Sequence, residues 1–301
     1  DEIVFRPIPD PATRRATLEA GDADATHDAT PENTAFWRND WEGELVAPSP
    51  DRDLWYLMMN LSAPPYDDPQ FRRALAQCTD RAEYVAFRAP EATLANGPFA
   101  AGSLGHLPDA AFPDFDPEAA NALLDKIGRP EVVPYNTTNT TANLLTAELF
   151  ADMWSTNCGL NVDIDQFDQA ELVTRALTGN FGVMQWRNHG RGHPGLEIHT
   201  WHSRHAEGLA TNVGRLTDDQ IDQLLFDSLA TVDLAEVDAI GQEITRVFAE
   251  NVYTIWLNTN DWSVPVRSGV NGVGVVALPS GSRARPSALG ATWLTEAWIE
   301  E

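Results

Sequence analysis

The sequence predicts an α/β fold, and three observations carry that expectation. Between about residues 130 and 186, short apolar runs of strand length alternate with stretches of helix length. Aspartates that suit helix N-caps and glycines that suit the residue after a helix bracket several of those stretches. An apolar content of 43% over 301 residues is enough for a substantial core, in one large or two medium domains.

The elements follow in order. Ile3 to Phe5 reads as a short strand, and residues 12–21 as a helix ending at Gly21, with a polar stretch to about Thr34. Asp53 to Leu61 is a nearly continuous apolar run, expected to be a strand buried on both faces. The turn-forming PPYDDP follows it, then helices on residues 70–77 and from Asp80, where Asp80 and Glu83 have the form of a capping pair. Residues 97–115, rich in Gly and Pro, have neither helical nor strand period and read as an ordered loop. Asp116 and Pro117 open a helix that Gly128 closes.

Strand 132–136, a long helix from about Thr141 to Asn157, strand 160–167, helix Asp168 to Leu177 and strand 181–186 then alternate. Strands separated by helices of this length imply crossovers and a parallel or mixed sheet covered on both faces. The Asn-Thr-Thr runs at Asn136 and Asn139 read as a polar loop that caps a helix. Thr217 and Gln220 have the spacing of a capping box for the helix over 218–230, and a second helix runs from Leu234 to Asn251. Residues 252–258 are a further buried strand, and the Val-, Gly- and Pro-rich remainder from Asp261 reads as strands and loops.

Twenty Lys and Arg against 45 Asp and Glu give a formal charge of −25, which repels nucleic acid and anionic lipid and excludes both as partners. Cys78 and Cys158 are too few for a disulfide framework or a thiolate metal site. Their apolar surroundings at helix ends favour two buried thiols and leave a single bridge open. No apolar run approaches the ~18 residues that span a bilayer. The start DEIVFRPIPD has neither the basic nor the apolar region of an export signal, so any such signal is expected to have been removed.

Five histidines, His189, His193, His199, His202 and His205, fall close together and suggest a transition metal, but without Cys they make a weak set. No GxSxG, HExxH, P-loop or GxGxxG motif is present, so an enzyme is not expected, and neither is a cofactor.

The order of several stretches resembles the extracellular solute-binding proteins of the dipeptide, oligopeptide and nickel class, family 5 of the binding proteins that serve ABC importers. The stretches are ATRRATLEAGDAD, YLMMNLSAPPYDDPQFRRALAQCTDRAEYV, GPFAAG, FDPEAANALLDKIG, AELFADMWSTNCGLNVDIDQFD, NFGVMQWRNHGRGHPG, and the segment from LTDDQ to TIWL. The resemblance implies a two-lobed periplasmic-binding-protein-like fold of type II. Residues 59–259 would form a complete lobe II; residues 1–58 and 260–301 would form part of lobe I, whose N-terminal portion is missing.

It further implies capture of a small peptide or similar polar ligand between the lobes, in the periplasm or lipid-anchored at the cell surface. The implied partners are an ABC permease in the membrane and the missing N-terminal portion as a separate chain. A metal or metal-chelate carrier using His189 and His193 is the alternative. The ligand-binding residues expected from the turn after strand 181–186 are Trp186, Arg187, Asn188, His189, Arg191 and His193. His193 stands where the resemblance would put an Asp before Pro194, so pairing with a peptide ammonium is weakened. Arg187 and Arg191 suit a carboxylate instead.

Overall fold

The structure, a computed structural model, describes residues 2–8, 10–28, 30–46, 53–90, 92–189, 192–260, 263–274, 276–277, 283–284 and 294–300. The chain divides into two compact units, residues 1–53 with 260–301, and residues 54–259. The resemblance placed the cut after residue 58; the contacts of the apolar run from Leu54 put it with the second unit.

In the first unit, Asp10 caps helix α1 (Pro11–Glu19) through Oδ1, which accepts from the Thr13 amide at 2.7 Å, and Pro11 occupies the first turn. Helix α2 (Pro31–Asn39) follows, then strand β1 (Glu44–Val46). Two expectations are corrected here. Ile3, Val4 and Phe5 form no strand and are 56%, 63% and 80% exposed. The supposedly polar stretch to Thr34 already contains the start of α2, whose Trp37 is buried with Phe36 and Trp41 packed edge-on against it.

The second unit begins with strand β2 (Asp53–Met59), helix α3 (Pro69–Cys78), helix α4 (Arg81–Arg88) and the two-residue strand β3 (Thr93–Leu94), which the sequence reading missed. It continues with α5 (Pro117–Ile127), β4 (Val133–Thr138), α6 (Thr141–Cys158), β5 (Val162–Phe167), α7 (Gln169–Thr178) and β6 (Val183–His189). After two short 3-10 turns flanking α8 (Ile198–Trp201) come α9 (Asp219–Ala230), α10 (Leu234–Asn251) and β7 (Thr254–Asn260). Short strands β8 (Val264–Val266), β9 (Val270–Asn271), β10 (Val276–Ala277), β11 (Arg283–Ala284) and β12 (Trp298–Ile299) return to the first unit, where β8 pairs antiparallel with β1.

Caps set most boundaries as expected: Asp80 accepts from the Ala82 and Glu83 amides, and Asp116 from that of Ala119. The cap of α9 is Asp218, whose carboxylate takes the Ile221 amide, rather than Thr217. Asn136 lies within β4, where its side chain accepts the Gly182 amide at 2.8 Å, so it is not part of a capping loop.

The six-stranded sheet has the order β3-β7-β2-β6-β4-β5. Strand β4 is parallel to both β5 and β6, as the crossovers α6 and α7 require, while β3 and β7 are antiparallel. Helix α6 lays Phe150 and Trp154 into an aromatic stack with Tyr84 and Tyr135, all buried.

Cys78 and Cys158, the last residues of α3 and α6, form a disulfide. This corrects the favoured reading of two free thiols: burial alone fits either state, and only the packing of the two helix ends brings the sulfurs together.

Two buried arginines hold backbone carbonyls rather than ligands. Arg72 donates to the Asn251 and Val252 carbonyls at the end of α10, where Val252 adopts φ +47°. Arg81 donates to the Ala95 and Trp256 carbonyls, and burial lowers its pKa to about 10. Asn60, at the end of β2, is 1% exposed and donates to the Gly179 and Phe181 carbonyls at 2.9 and 3.1 Å. Replacing Asn60 with Ala removes those donors inside the unit and is expected to cost about 1–3 kcal/mol. Chemical denaturation measures this, and an unchanged midpoint would refute it.

Candidate functional site

A cavity of about 690 Å³ opens in the second unit where β2 and β6 meet the segments after α8 and before β7. Its apolar walls include Trp55, Trp186, Trp201, Phe248, Tyr253 and Trp256, and its polar positions include Thr138, Asn143, Gln169, Gln185, Asn188 and Asn212. Apolar walls with scattered amides suit a small ligand that is both held and oriented.

Strand β6 supplies consecutive contributors. Gln185 is fixed from behind by its Nε2, which donates to the Tyr84 hydroxyl at 2.6 Å. Trp186 is half-buried along the wall. Arg187, also half-buried, carries its guanidinium carbon 5.7 Å from the centre of a Trp55 ring, within cation–π range. Asn188 is buried and donates to Glu197 Oε2 at 3.3 Å, so its amide braces the turn after β6 as well as lining the cavity.

Glu197 is 2% exposed, a buried carboxylate that the sequence reading did not connect to this site. Burial, with the negative charge of Glu197 adding to it, raises the Tyr56 pKa far above the ordinary phenol value, so the lining Tyr56 stays a neutral hydroxyl. Tyr253 is likewise held neutral by burial and by donating its hydroxyl proton to Asp218.

The remaining expected residues separate from this group. The side chain of His189 and the whole of Arg191 lie outside the described residues. His193 does not line the cavity; its Nδ1 accepts the Gly195 amide at 3.1 Å and caps the 3-10 turn Pro194–Glu197. The imidazole thus serves as an acceptor for a turn amide. His202 does the same for the Arg204 amide, and His205 Nε2 accepts from Arg204 Nε at 3.0 Å. Burial, helped by Arg204 and the neighbouring imidazoles, lowers the pKa of His205. Among the described residues, no three His, Cys, Asp or Glu side chains group to hold a metal.

Most of the wall was not foreseen from the sequence. Trp55, Thr138, Asn143, Trp201, Asn212 and Tyr253 come from six separate segments that only the folded sheet collects.

The fold is that of the two-lobed periplasmic binding proteins, as the match to solved structures of that class shows. A dipeptide-binding protein from a Pseudoalteromonas species, in complex with Met-Leu, superposes with a TM-score of 0.78 at 18% identity over 97% of this chain and 57% of its own. The periplasmic binding protein DppA of Helicobacter pylori, in complex with the peptide STSA, gives a TM-score of 0.78 at 18% identity over 89% of this chain and 53% of its own.

Residues 1–202 match the family described as bacterial extracellular solute-binding proteins, family 5 Middle, and the chain belongs to that family. Among curated relatives, a di/tripeptide-binding protein of Pseudomonas aeruginosa is 24% identical over 84% of this chain and 48% of its own length. The glutathione-binding protein of Salmonella typhimurium is 35% identical over 44% of this chain and 25% of its own length. The chain thus spans about half the length of the first of these. Among the described residues, no helix is long and apolar enough to cross a membrane.

Proposed function

We propose that the protein is the substrate-binding component of an ABC importer. It captures peptides or a similar small polar ligand outside the cytoplasmic membrane and delivers them to a membrane permease, without enzymatic chemistry. Residues 54–259 would then be a complete lobe, and residues 1–53 with 260–301 part of the other. The observation that carries the reading is the cavity itself, in which indole walls alternate with side-chain amides over a volume fit for a short peptide. Family membership and the peptide-named relatives support it.

The test is a titration of purified protein with a set of di- to pentapeptides, read by intrinsic fluorescence and by thermal shift, alongside mass spectrometry of whatever small molecules co-purify. A bound peptide at about 100 times Kd stabilises the native state by ~2.7 kcal/mol, seen as a rise of several degrees in Tm. Trp186→Ala, which removes an indole from the wall, is expected to weaken every bound peptide by about 5- to 30-fold. No response to any peptide, and none co-purifying, would dismiss the proposal.

A further inference from the structure

We propose that His199, His202 and His205 form an acid-sensitive latch behind the cavity wall. Protonation loosens residues 199–212 and, on the reading that the cavity holds the ligand, weakens binding.

The three histidines stand outside the lining, but they hold part of it in place. Thr200, Trp201, Thr211 and Asn212 line the cavity. Each histidine offers its carbonyl to one of the last two. His199 accepts from Thr211 Oγ1 at 2.7 Å, His202 from Asn212 Nδ2 at 3.2 Å, and His205 from the Asn212 amide at 3.2 Å. The two ends of the segment are thus fastened to each other through residues whose side chains titrate.

The rings of His202 and His205 shape the turn by converging on Arg204. Its backbone amide donates to His202 Nδ1 at 3.1 Å, and its side-chain Nε donates to His205 Nε2 at 3.0 Å. An imidazolium has no acceptor nitrogen, so protonating either ring removes one hold on Arg204, and at His205 it sets donor against donor. The ring centres of His199 and His202 lie 5.1 and 6.3 Å from that of His205. Imidazoliums at this spacing, beside the Arg204 guanidinium, crowd like charges into one turn.

Neighbouring elements bring further charges. Asp222 of α9 has Oδ1 3.4 Å from His202 Nδ1 and already accepts the Ser203 amide. A protonated His202 turns toward this carboxylate and away from the Arg204 amide, so the pair assists the unlatching. Asp218 takes the Ile221 amide and the Tyr253 hydroxyl, and Glu197 takes the Asn188 amide. His193 accepts the Gly195 amide, and Arg215 donates to the Ala206 and Gly208 carbonyls. Asp219 and Glu207 are exposed, where solvent screens them. Partial burial, then Arg204 and the other imidazoles, hold the His205 pKa below the ordinary 6.5. The folded turn therefore favours the neutral ring. That support is complete above about pH 6.5 and is withdrawn as pH falls from there toward the lowered pKa.

Hydrogen–deuterium exchange of the ligand-free protein reads the latch directly, at about pH 7.5 and about pH 5.5, corrected for the intrinsic pH dependence of amide exchange. In the wild type, residues 199–212 are expected to lose protection by about 3- to 30-fold at the lower pH, while α6 keeps its own. His205→Gln, and His202→Gln/His205→Gln, carry amide acceptors that do not titrate and should keep the segment's protection constant. His205→Lys, charged throughout, should show the loosened segment already at the higher pH. Calorimetric titration with Ala-Phe over the same range is expected to show affinity falling by a similar factor in the wild type and holding in His205→Gln.

Equal protection of the wild-type segment at both pH values overturns the latch, as does an equal loss in wild type and His205→Gln. Protection that falls while the affinity for a bound peptide holds overturns its link to binding. If Ala-Phe and the di- to pentapeptides bind at neither pH, the peptide reading fails, and exchange alone decides the latch.

Discussion

Trp154→Ala is expected to destabilise the protein by about 3–5 kcal/mol, the range for deleting a large aromatic side chain from a packed core. Trp154 is wholly buried in the last turns of α6, with ring centres 5.8 Å from Phe150 and 6.0 Å from Tyr135. Its Nε1 donates to the Thr79 hydroxyl at 2.9 Å, which ties α6 to the turn between α3 and α4. The Thr79 hydroxyl still donates to the Leu75 carbonyl after the substitution, so the loss is mainly one of packing. Trp154→Phe keeps most of the apolar area and should recover more than half of the lost stability. Urea denaturation of the two variants decides the matter: a loss below about 1 kcal/mol for Trp154→Ala would mean the core closes over the space, contrary to the rigid stack described.

The second large effect belongs to the bridge between Cys78 and Cys158, separated by 80 residues and both essentially inaccessible to solvent. Joining such distant points restricts the unfolded chain, and losing the bond is expected to cost about 2–4 kcal/mol. The comparison is between wild type and the Cys78→Ala/Cys158→Ala variant, by thermal unfolding in the absence of reductant. Because the native sulfurs are buried, the folded protein should also resist millimolar dithiothreitol until it is partly denatured. If wild-type protein, denatured without reductant, takes up iodoacetamide on both cysteines, the bridge does not exist in solution.

Much of the second unit was legible in the sequence because its signals are local. Asp80 and Asp116 each sit one residue before a helix and accept first-turn amides, as their spacing implied, and Asp168, read as the first helical residue, does the same. The apolar runs around β2, β4 and β7 mark strands of the central sheet because strands covered on both faces need no alternation. The errors arose where local and tertiary preferences part. Ile3 to Phe5 has strand composition but no pairing partner, and composition cannot supply one. Helix α2 has a polar, low-contrast sequence, though Thr30 followed by Pro31 was an available start signal.

The candidate site was readable only along one strand. Trp186, Arg187 and Asn188 were named as the start of a turn after a strand ending at Trp186; the strand β6 in fact runs on to His189 and includes all three, and all three line the cavity. The facing residues on β2, α8 and the segment after it approach them only through the sheet order, in which β2 neighbours β6 across more than a hundred residues of chain. His193 shows a second limit. Its place in the sequence suggested a ligand contact, while its hydrogen bond to Gly195 is a backbone task that an aspartate or a neutral imidazole performs equally well.

The covalent link between the ends of α3 and α6 also alters what a single cut would do to the molecule. A protease that nicks the exposed surface anywhere between residues 79 and 157, including the glycine- and proline-rich segment 97–115, leaves both fragments tethered through sulfur. Such a clipped form would migrate as one species on a gel until thiol is added.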